Sequence, residues 1–329
     1  MTTAVAADHV AELVGYLHSR RTDLALALAL GLADDGVPAA HLLTDLIGPA
    51  QVEVGERWYR NEYSIADEHA ATSVTDTLVT LLAAHDGPAT RSGPHVLAVC
   101  PEGEWHTLPL RIAAQVLELD EIEVSYLGAS LPSEHLARFM ARARPDAVVL
   151  TCSTPLAFGG VLATVEVAHQ FGVPVIAGGR AWGGDSSRAD VLGVDRWVSS
   201  APAAPALVRE AIGGPLRIPT ADGSLAADFA ADRLRLVDDA FEGLRRRFSL
   251  MAGYSAAQLR RTREDLTSFA QFAEASILVD DPRVFDEFLS WLSPLLTRRN
   301  VPRAAIDAAL TALAESADGP RAALFGRRR

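Results

Sequence analysis

The chain is 329 residues long, 49% hydrophobic and 22% charged, with a formal net charge of −12. That composition is ordinary for a globular protein, and the negative balance excludes general binding to nucleic acid or to an anionic membrane, whose phosphates it would repel. No apolar run reaches the roughly 18 residues a transmembrane helix needs, and the length predicts two or three domains.

The opening residues Met1-Thr2-Thr3-Ala4 carry neither a basic region nor an apolar core. No signal peptide is therefore expected, and a cytoplasmic location is. The two cysteines, Cys100 and Cys152, fall in predicted core strands and read as buried thiols of a reducing compartment. Arg327-Arg328-Arg329 is a local basic exception, read as a solvated tail.

Residues 1–88 read as helical. Val10, Leu13, Val14 and Leu17 form a stripe between Asp8 and Arg20. Arg21 to Asp34, rich in Ala and Leu, predicts a second helix, and Gly36-Val37-Pro38 punctuates. Pro38 to Trp58 carries Leu42, Leu43, Leu46, Ile47, Val52 and Val54 and predicts a third, kinked near Pro49. Ser64-Ile65-Ala66-Asp67 is a capping box with Asp in place of Glu, opening a helix through Val74, Leu78, Leu81 and Leu82. Helices joined by short loops predict a bundle, and Gly87 to Gly93 reads as a linker.

Residues 94–213 alternate. Strands are predicted at 95–100, 122–127, 146–151, 173–177 and 196–199, and helices at 107–119, 132–143, 158–171, 185–192 and 203–212. This alternation implies a parallel sheet with right-handed crossovers, a flavodoxin-like doubly wound domain. Gly213-Gly214-Pro215 through Asp222-Gly223-Ser224 reads as an interdomain linker. Residues 226–329 then predict helices at 226–251, 255–279, 282–298 and 302–316, dense in aromatics that include Phe241, Phe269, Phe285, Phe288 and Trp291. The fold class is multidomain α and α/β.

The loop after the first strand, Glu102-Gly103-Glu104-Trp105-His106-Thr107-Leu108-Pro109, lies at the carboxyl end of a strand, where open α/β sheets bind ligands. Glu104 can accept the second N–H of His106, an arrangement that orients a metal-ligating histidine. Taken alone, the pair fits a solvated loop histidine as well. The stretch resembles the Asp-x-His-x-x-Gly motif of cobalamin (vitamin B12)-binding domains, with Glu104 for the Asp and Pro109 for the Gly. In that family a Ser-x-Leu and then a Gly-Gly follow; here Thr151-Cys152-Ser153 and Gly178-Gly179 stand at those places. The resemblance implies that His106 replaces dimethylbenzimidazole as the lower cobalt ligand. It places the displaced nucleotide tail beside Thr151, Ser153, Gly178 and Gly179, with Glu104, Trp105, Thr107 and Leu108 also lining the cofactor.

Within the bundle, Trp58 is followed after nine residues by Glu68-His69. A core tryptophan and a surface Glu-His pair fit these residues taken alone. The pattern resembles the cap of B12-dependent photoreceptors that repress carotenoid genes. It implies that the bundle covers the upper face of adenosylcobalamin, with Trp58 against the adenosyl group and Glu68 hydrogen-bonded to it. An indole supplies a flat apolar contact and a carboxylate accepts from ribose hydroxyls. In the best-known of those photoreceptors a histidine follows the tryptophan and ligates cobalt after light, whereas Tyr59 stands here. The upper ligand would then have to be His69 or another group.

The C-terminal segment resembles globin-like helical sensor domains that have lost heme. No histidine follows His169, so a heme-ligating histidine is excluded. A cobalamin domain with a globin-like domain and no DNA-binding head is similar to the photocobilins, which carry both B12 and a bilin. The resemblance implies biliverdin in residues 226–329, held non-covalently because no cysteine follows Cys152. Arg233, Arg260, Arg261 and Arg263 are candidates to pair with its propionates, though surface-helix positions suit them too. The expectation is a light sensor rather than an enzyme, with self-association and a downstream signalling partner the sequence does not identify. The alternative is a corrinoid carrier for a methyltransferase, which pairs a helical bundle with the same α/β domain. A cobalamin-dependent isomerase subunit is disfavoured because no barrel of adequate length is present.

Overall fold

The computed structural model describes residues 4–85 and 92–327. Residues 1–3, most of the expected linker (87–91) and the last two arginines of the terminal triplet lie outside the described residues.

Helices α1 (Ala7–His18), α2 (Thr22–Asp34), α3 (Ala39–His41), α4 (Gly48–Tyr59) and α5 (Ile65–His85) form the N-terminal bundle. Leu13, Leu17, Leu42, Leu46, Ile47 and Leu78 fill its centre. The single helix expected from Pro38 to Trp58 is broken by a π-helical turn, Leu42–Ile47, where the Gly48 N–H reaches back to the Leu43 carbonyl. Pro49 lacks an N–H and its ring would strike the carbonyl four residues earlier, a conflict that the widened turn relieves. The expected capping box forms: the Ser64 N–H donates to Asp67 Oδ2 (3.0 Å) and the Asp67 N–H to Ser64 Oγ (3.2 Å).

Strands β1 (His95–Pro101), β2 (Glu123–Leu131), β3 (Ala147–Thr151), β4 (Val175–Gly178) and β5 (Arg196–Trp197) make one parallel sheet, ordered β2-β1-β3-β4-β5. That is the flavodoxin-like order. The helices between them are α6 (Thr107–Leu119), α7 (Ser133–Ala143), α8 (Phe158–Gln170), α9 (Ser187–Val191) and α10 (Ala204–Ala211). Side chains alternate along β1. Leu97 and Val99 join the core beneath α7 and α8, while Val96, Ala98 and Cys100 face α6 and α10. β2 continues past its expected end through Gly128 and Ser130, both at positive φ, and the β1–β2 register slips beside Val99. These irregularities bend the strand end over the loop that follows β1.

The C-terminal helices are α11 (Gly223–Arg247), α12 (Ala256–Leu278), α13 (Arg283–Arg298), α14 (Arg303–Ser316) and α15 (Gly319–Phe325). The short α15 was not expected, and it delivers Leu324 and Phe325 into the core with Phe269, Phe285 and Phe288. Ala275, Leu278, Val279 and Val284 extend the sheet's own core into α12 and α13. Buried Arg188 ties α9 to this region, donating to Asp281 Oδ2 (2.8 Å), Glu287 Oε1 (2.7 Å) and the Ala181 carbonyl (2.9 Å). Farther along α13, Trp58 and Tyr59 of α4 stack on Trp291 at 6.3 and 5.9 Å, and the Tyr59 hydroxyl donates to the Trp291 carbonyl at 3.1 Å. Among the described residues no helix is long and apolar enough to cross a membrane.

Asp265 on α12 is half-buried, and burial with the neighbouring charge of Glu264 pushes its carboxyl up to about 6, against the pull of Arg299 and Arg261. A carboxyl with a raised folded pKa contributes stability below its unfolded pKa and loses it as pH rises through the folded value. Asp265→Asn should therefore stabilise the fold by about 1–3 kcal/mol at pH 7 and leave it nearly unchanged at pH 4. Urea denaturation at the two pH values measures this, and equal shifts at both would contradict it.

Candidate functional site

The site grows from the carboxyl end of β1. Gly103 takes positive φ (87°) and turns the chain, its N–H donating to Ser130 Oγ at 3.1 Å, while the Ser130 N–H returns to the Glu104 carbonyl at 2.9 Å. Glu104 is then driven inward to 0% exposure. Oε1 accepts from the His106 N–H (2.8 Å) and faces His106 Nδ1 (2.6 Å); Oε2 accepts from the N–H groups of Ser153 and Thr154 after β3. Burial alone would raise this carboxyl, but hydrogen bonds from His106 and the Ser153 amide outweigh it and hold the pKa below the usual carboxylate range. The hydrogen bond to Glu104 raises the His106 pKa against the opposing effect of burial, and the charges of Glu104 and Glu68 add to the rise. A carboxylate on Nδ1 makes that nitrogen the donor and leaves Nε2 with a free lone pair on an exposed ring. That is the donor a single axial metal ligand requires, so the residues present fit a cobalt corrinoid.

The other expected residues fall into two groups. Trp105 is 72% exposed beside His106, as a residue awaiting a flat apolar neighbour would be. Thr107 opens α6 and its carbonyl receives the Tyr126 hydroxyl (3.4 Å), whereas Leu108 is buried in the bundle core. The Thr151 hydroxyl is buried against Cys100 Sγ at 3.8 Å, and it is the backbone of Ser153 that serves the site. Gly178 and Gly179 have a reason of their own. A Cβ on Gly179, at φ 113°, would meet the Cys152 carbonyl at 2.3 Å, and one on Gly178 would meet Val198 Cγ1 at 2.9 Å. Gly179 thus lets the ends of β3 and β4 close together, and Gly178 lets β4 approach the residue that follows β5.

Glu68 lies on α5 on the His106 side, near enough for its charge to act on the imidazole. Its Oε2 faces His69 Nδ1 at 2.7 Å, and its Oε1 accepts from the Thr72 hydroxyl at 2.8 Å. Trp58 is half-buried between two cores, with the Arg299 guanidinium 4.8 Å over its ring on the α13 side. Of the arginines considered for a bilin, Arg233 pairs with buried Glu274 (2.6 Å), and Arg263 pairs with Asp238 while lying over Phe241. Arg260 and Arg261 are exposed. Two contributors were not singled out from the sequence. Gly160 at the start of α8 lies against the Glu102 carbonyl, and Gln51 bonds Thr72. The Gly159-Gly160 doublet at a helix start was the one signal available for the former.

A parallel sheet in this order, carrying an oriented histidine on its first loop beneath a helical bundle, defines a cobalamin-binding module. Residues 94–208 match the B12 binding domain family, and residues 10–83 match a second B12 binding domain family. One particular relative is the HTH-type transcriptional repressor CarH of Myxococcus xanthus, 34% identical over 149 residues, which are 44% of this chain and 49% of that protein. The chain thus spans about half the length of the curated relative it matches. Among solved structures, the monomethylamine corrinoid protein of Methanosarcina barkeri superposes with a TM-score of 0.52 at 16% identity, over 62% of this chain and 98% of that one. That likeness is one of fold.

The two glycines at the head of α8 separate packing from propensity. A Cβ at Gly160 would meet the Glu102 carbonyl at 2.2 Å, whereas one at Gly159 meets nothing within 4 Å. Gly160→Ala should cost about 1–3 kcal/mol by displacing the loop that carries Glu104. Gly159→Ala should stabilise by up to about 1 kcal/mol. Denaturation of the two variants side by side tests the contrast, and equal effects would refute the close approach.

Proposed function

We propose that this protein is a light sensor, not an enzyme, that holds adenosylcobalamin between the loop after β1 and the N-terminal bundle. The observation that carries the reading is the buried Glu104 behind His106, which leaves Nε2 exposed and basic on the side where Glu68 lies. The similarity to a transcriptional repressor and the Trp58 to Glu68-His69 pattern support a sensor. Bound adenosylcobalamin supplies a cobalt–carbon bond that light cleaves. The chain's residues do the rest. His106 holds the lower face with its ring fixed by Glu104, while the tail lies toward Ser153 and the Gly178-Gly179 turn. Glu68 accepts hydrogen bonds from the upper ligand's sugar, Trp58 offers the part of its indole that Trp291 and Arg299 leave open, and His69 keeps Glu68 in place. When those upper contacts are lost, α4 and α5 lose part of what holds them against the β1 loop, a two-state bias set by ligand. Biliverdin, held non-covalently among residues 226–329 with Arg260 and Arg261 free to reach its propionates, would extend the absorbed range. The output passes to a second copy or to a separate signalling partner.

A second reading, a corrinoid carrier for a methyltransferase, is favoured by the fold likeness to the monomethylamine corrinoid protein. The two readings differ in which upper ligand the bundle prefers. Purified protein loaded with adenosylcobalamin should show the spectrum of cobalt bound by histidine and should change it on illumination. His106→Ala should lose that spectrum, and Trp58→Ala should lower the preference for adenosylcobalamin over methylcobalamin. An unchanged spectrum in His106→Ala would sink the cobalt assignment, and a wild-type preference for methylcobalamin would favour the carrier.

The bilin is tested separately. Biliverdin titrated into the full chain should give a red-shifted band that saturates at one equivalent and is released by acid denaturation. Pigment that stays on the denatured chain, or no saturable band, would remove biliverdin from the reading.

A further inference from the structure

Glu68 does not stand alone on α5. One turn on, the Thr72 hydroxyl donates to Glu68 Oε1 at 2.8 Å, and Gln51 Nε2 on α4 lies 2.5 Å from that same hydroxyl. Gln51 Oε1 in turn lies 3.0 Å from the hydroxyl of buried Thr75, whose one proton it shares with the Ala71 carbonyl, also at 3.0 Å. A hydroxyl has one proton, so Thr72, having given it to Glu68, can only accept from Gln51. That fixes the Gln51 amide: nitrogen toward Thr72, oxygen toward Thr75. Donation therefore runs one way, from Gln51 to Thr72 to Glu68, and crosses from one helix to the other. With His69 Nδ1 on Oε2 at 2.7 Å, both carboxylate oxygens are held.

We propose that Gln51 is a positioning residue for Glu68, setting through Thr72 the rotamer in which the carboxylate meets the upper cobalamin ligand and so setting selectivity for that ligand. This rests on the reading of Glu68 as a contact to the adenosyl group. The amide, and not merely its shape, is required. Gln51→Glu keeps the volume but places an acceptor where Thr72 needs a donor. Two carboxylates then compete for one hydroxyl proton, and their like charges push Glu68 off its position. Thr72→Val keeps the shape and removes the relay itself.

The test compares dissociation constants for adenosylcobalamin and methylcobalamin in the dark for the full-length wild type, Gln51→Glu, Thr72→Val and Glu68→Gln. Gln51→Glu and Thr72→Val should each lower the preference for adenosylcobalamin on the order of tenfold, the scale of one hydrogen bond to a charged group. Methylcobalamin affinity should stay near wild type, which a generally loosened bundle would not allow. Should Gln51→Glu fail to fold, Thr72→Val carries the same comparison alone. If Glu68→Gln lowers the preference while Gln51→Glu and Thr72→Val leave it unchanged, the positioning role is overturned. If Glu68→Gln itself leaves it unchanged, the reading of Glu68 as an adenosyl contact fails instead.

Discussion

A carboxylate removed from water must find hydrogen bonds for both oxygens, and Glu104 finds them on loops that follow two different strands. One oxygen serves His106, the other the backbone of Ser153 and Thr154. The same side chain therefore closes the top of the sheet and aims the imidazole. Closure demands small neighbours. Gly160 must let the Glu102 carbonyl approach α8, and Gly179 must let β4 turn over the Cys152 carbonyl. The residues that hold His106 in place are in this sense a packing problem before they are a chemical one.

The bundle is rooted in the same place. Leu108 and Val116 of α6 belong to the bundle's core although α6 covers the sheet, and Arg111 on that helix pairs with Asp76 on α5 at 2.6 Å. The helix that follows His106 is thus shared by two cores. Motion of α5 relative to the imidazole is freest at the end that carries Glu68, because farther along the helix Asp76 is tied to α6.

What the sequence made legible follows from the range of each signal. The α6 boundaries, 107–119, emerge as read, because a strand, a polar loop and an amphipathic stripe are all local patterns. The Glu104–His106 pairing was equally local. The π-helical turn before Pro49 hides inside an unbroken apolar periodicity. α15 is seven residues long and opens at Gly319-Pro320, which reads as a break. The contacts of Glu104 with Ser153 span 49 residues, and those of Gln51 with Thr72 span 21, and no periodicity carries either. Arg233 and Arg263 looked free in the sequence because Glu274 and Asp238 reach them only through helix packing.

α13 has the makings of a lever. Near its first turn Glu287, with Asp281 just ahead of the helix, clamps buried Arg188 of the α/β domain, and farther along Trp291, Arg298 and Arg299 rest on Trp58 and Tyr59 of the bundle. At 1.5 Å per residue its 16 residues span about 24 Å, with Pro294 inside the helix just past Trp291. The two ends are held by forces of different reach. An ion pair weakens gradually as its partners separate. Stacked rings lose a quarter to a half of their dispersion energy over a gap of about 0.5–1 Å. A small slide of α4 would therefore weaken the stacked rings before it weakens the Arg188 pairs, leaving the Tyr59 hydrogen bond and the Arg298 and Arg299 contacts to hold the aromatic end.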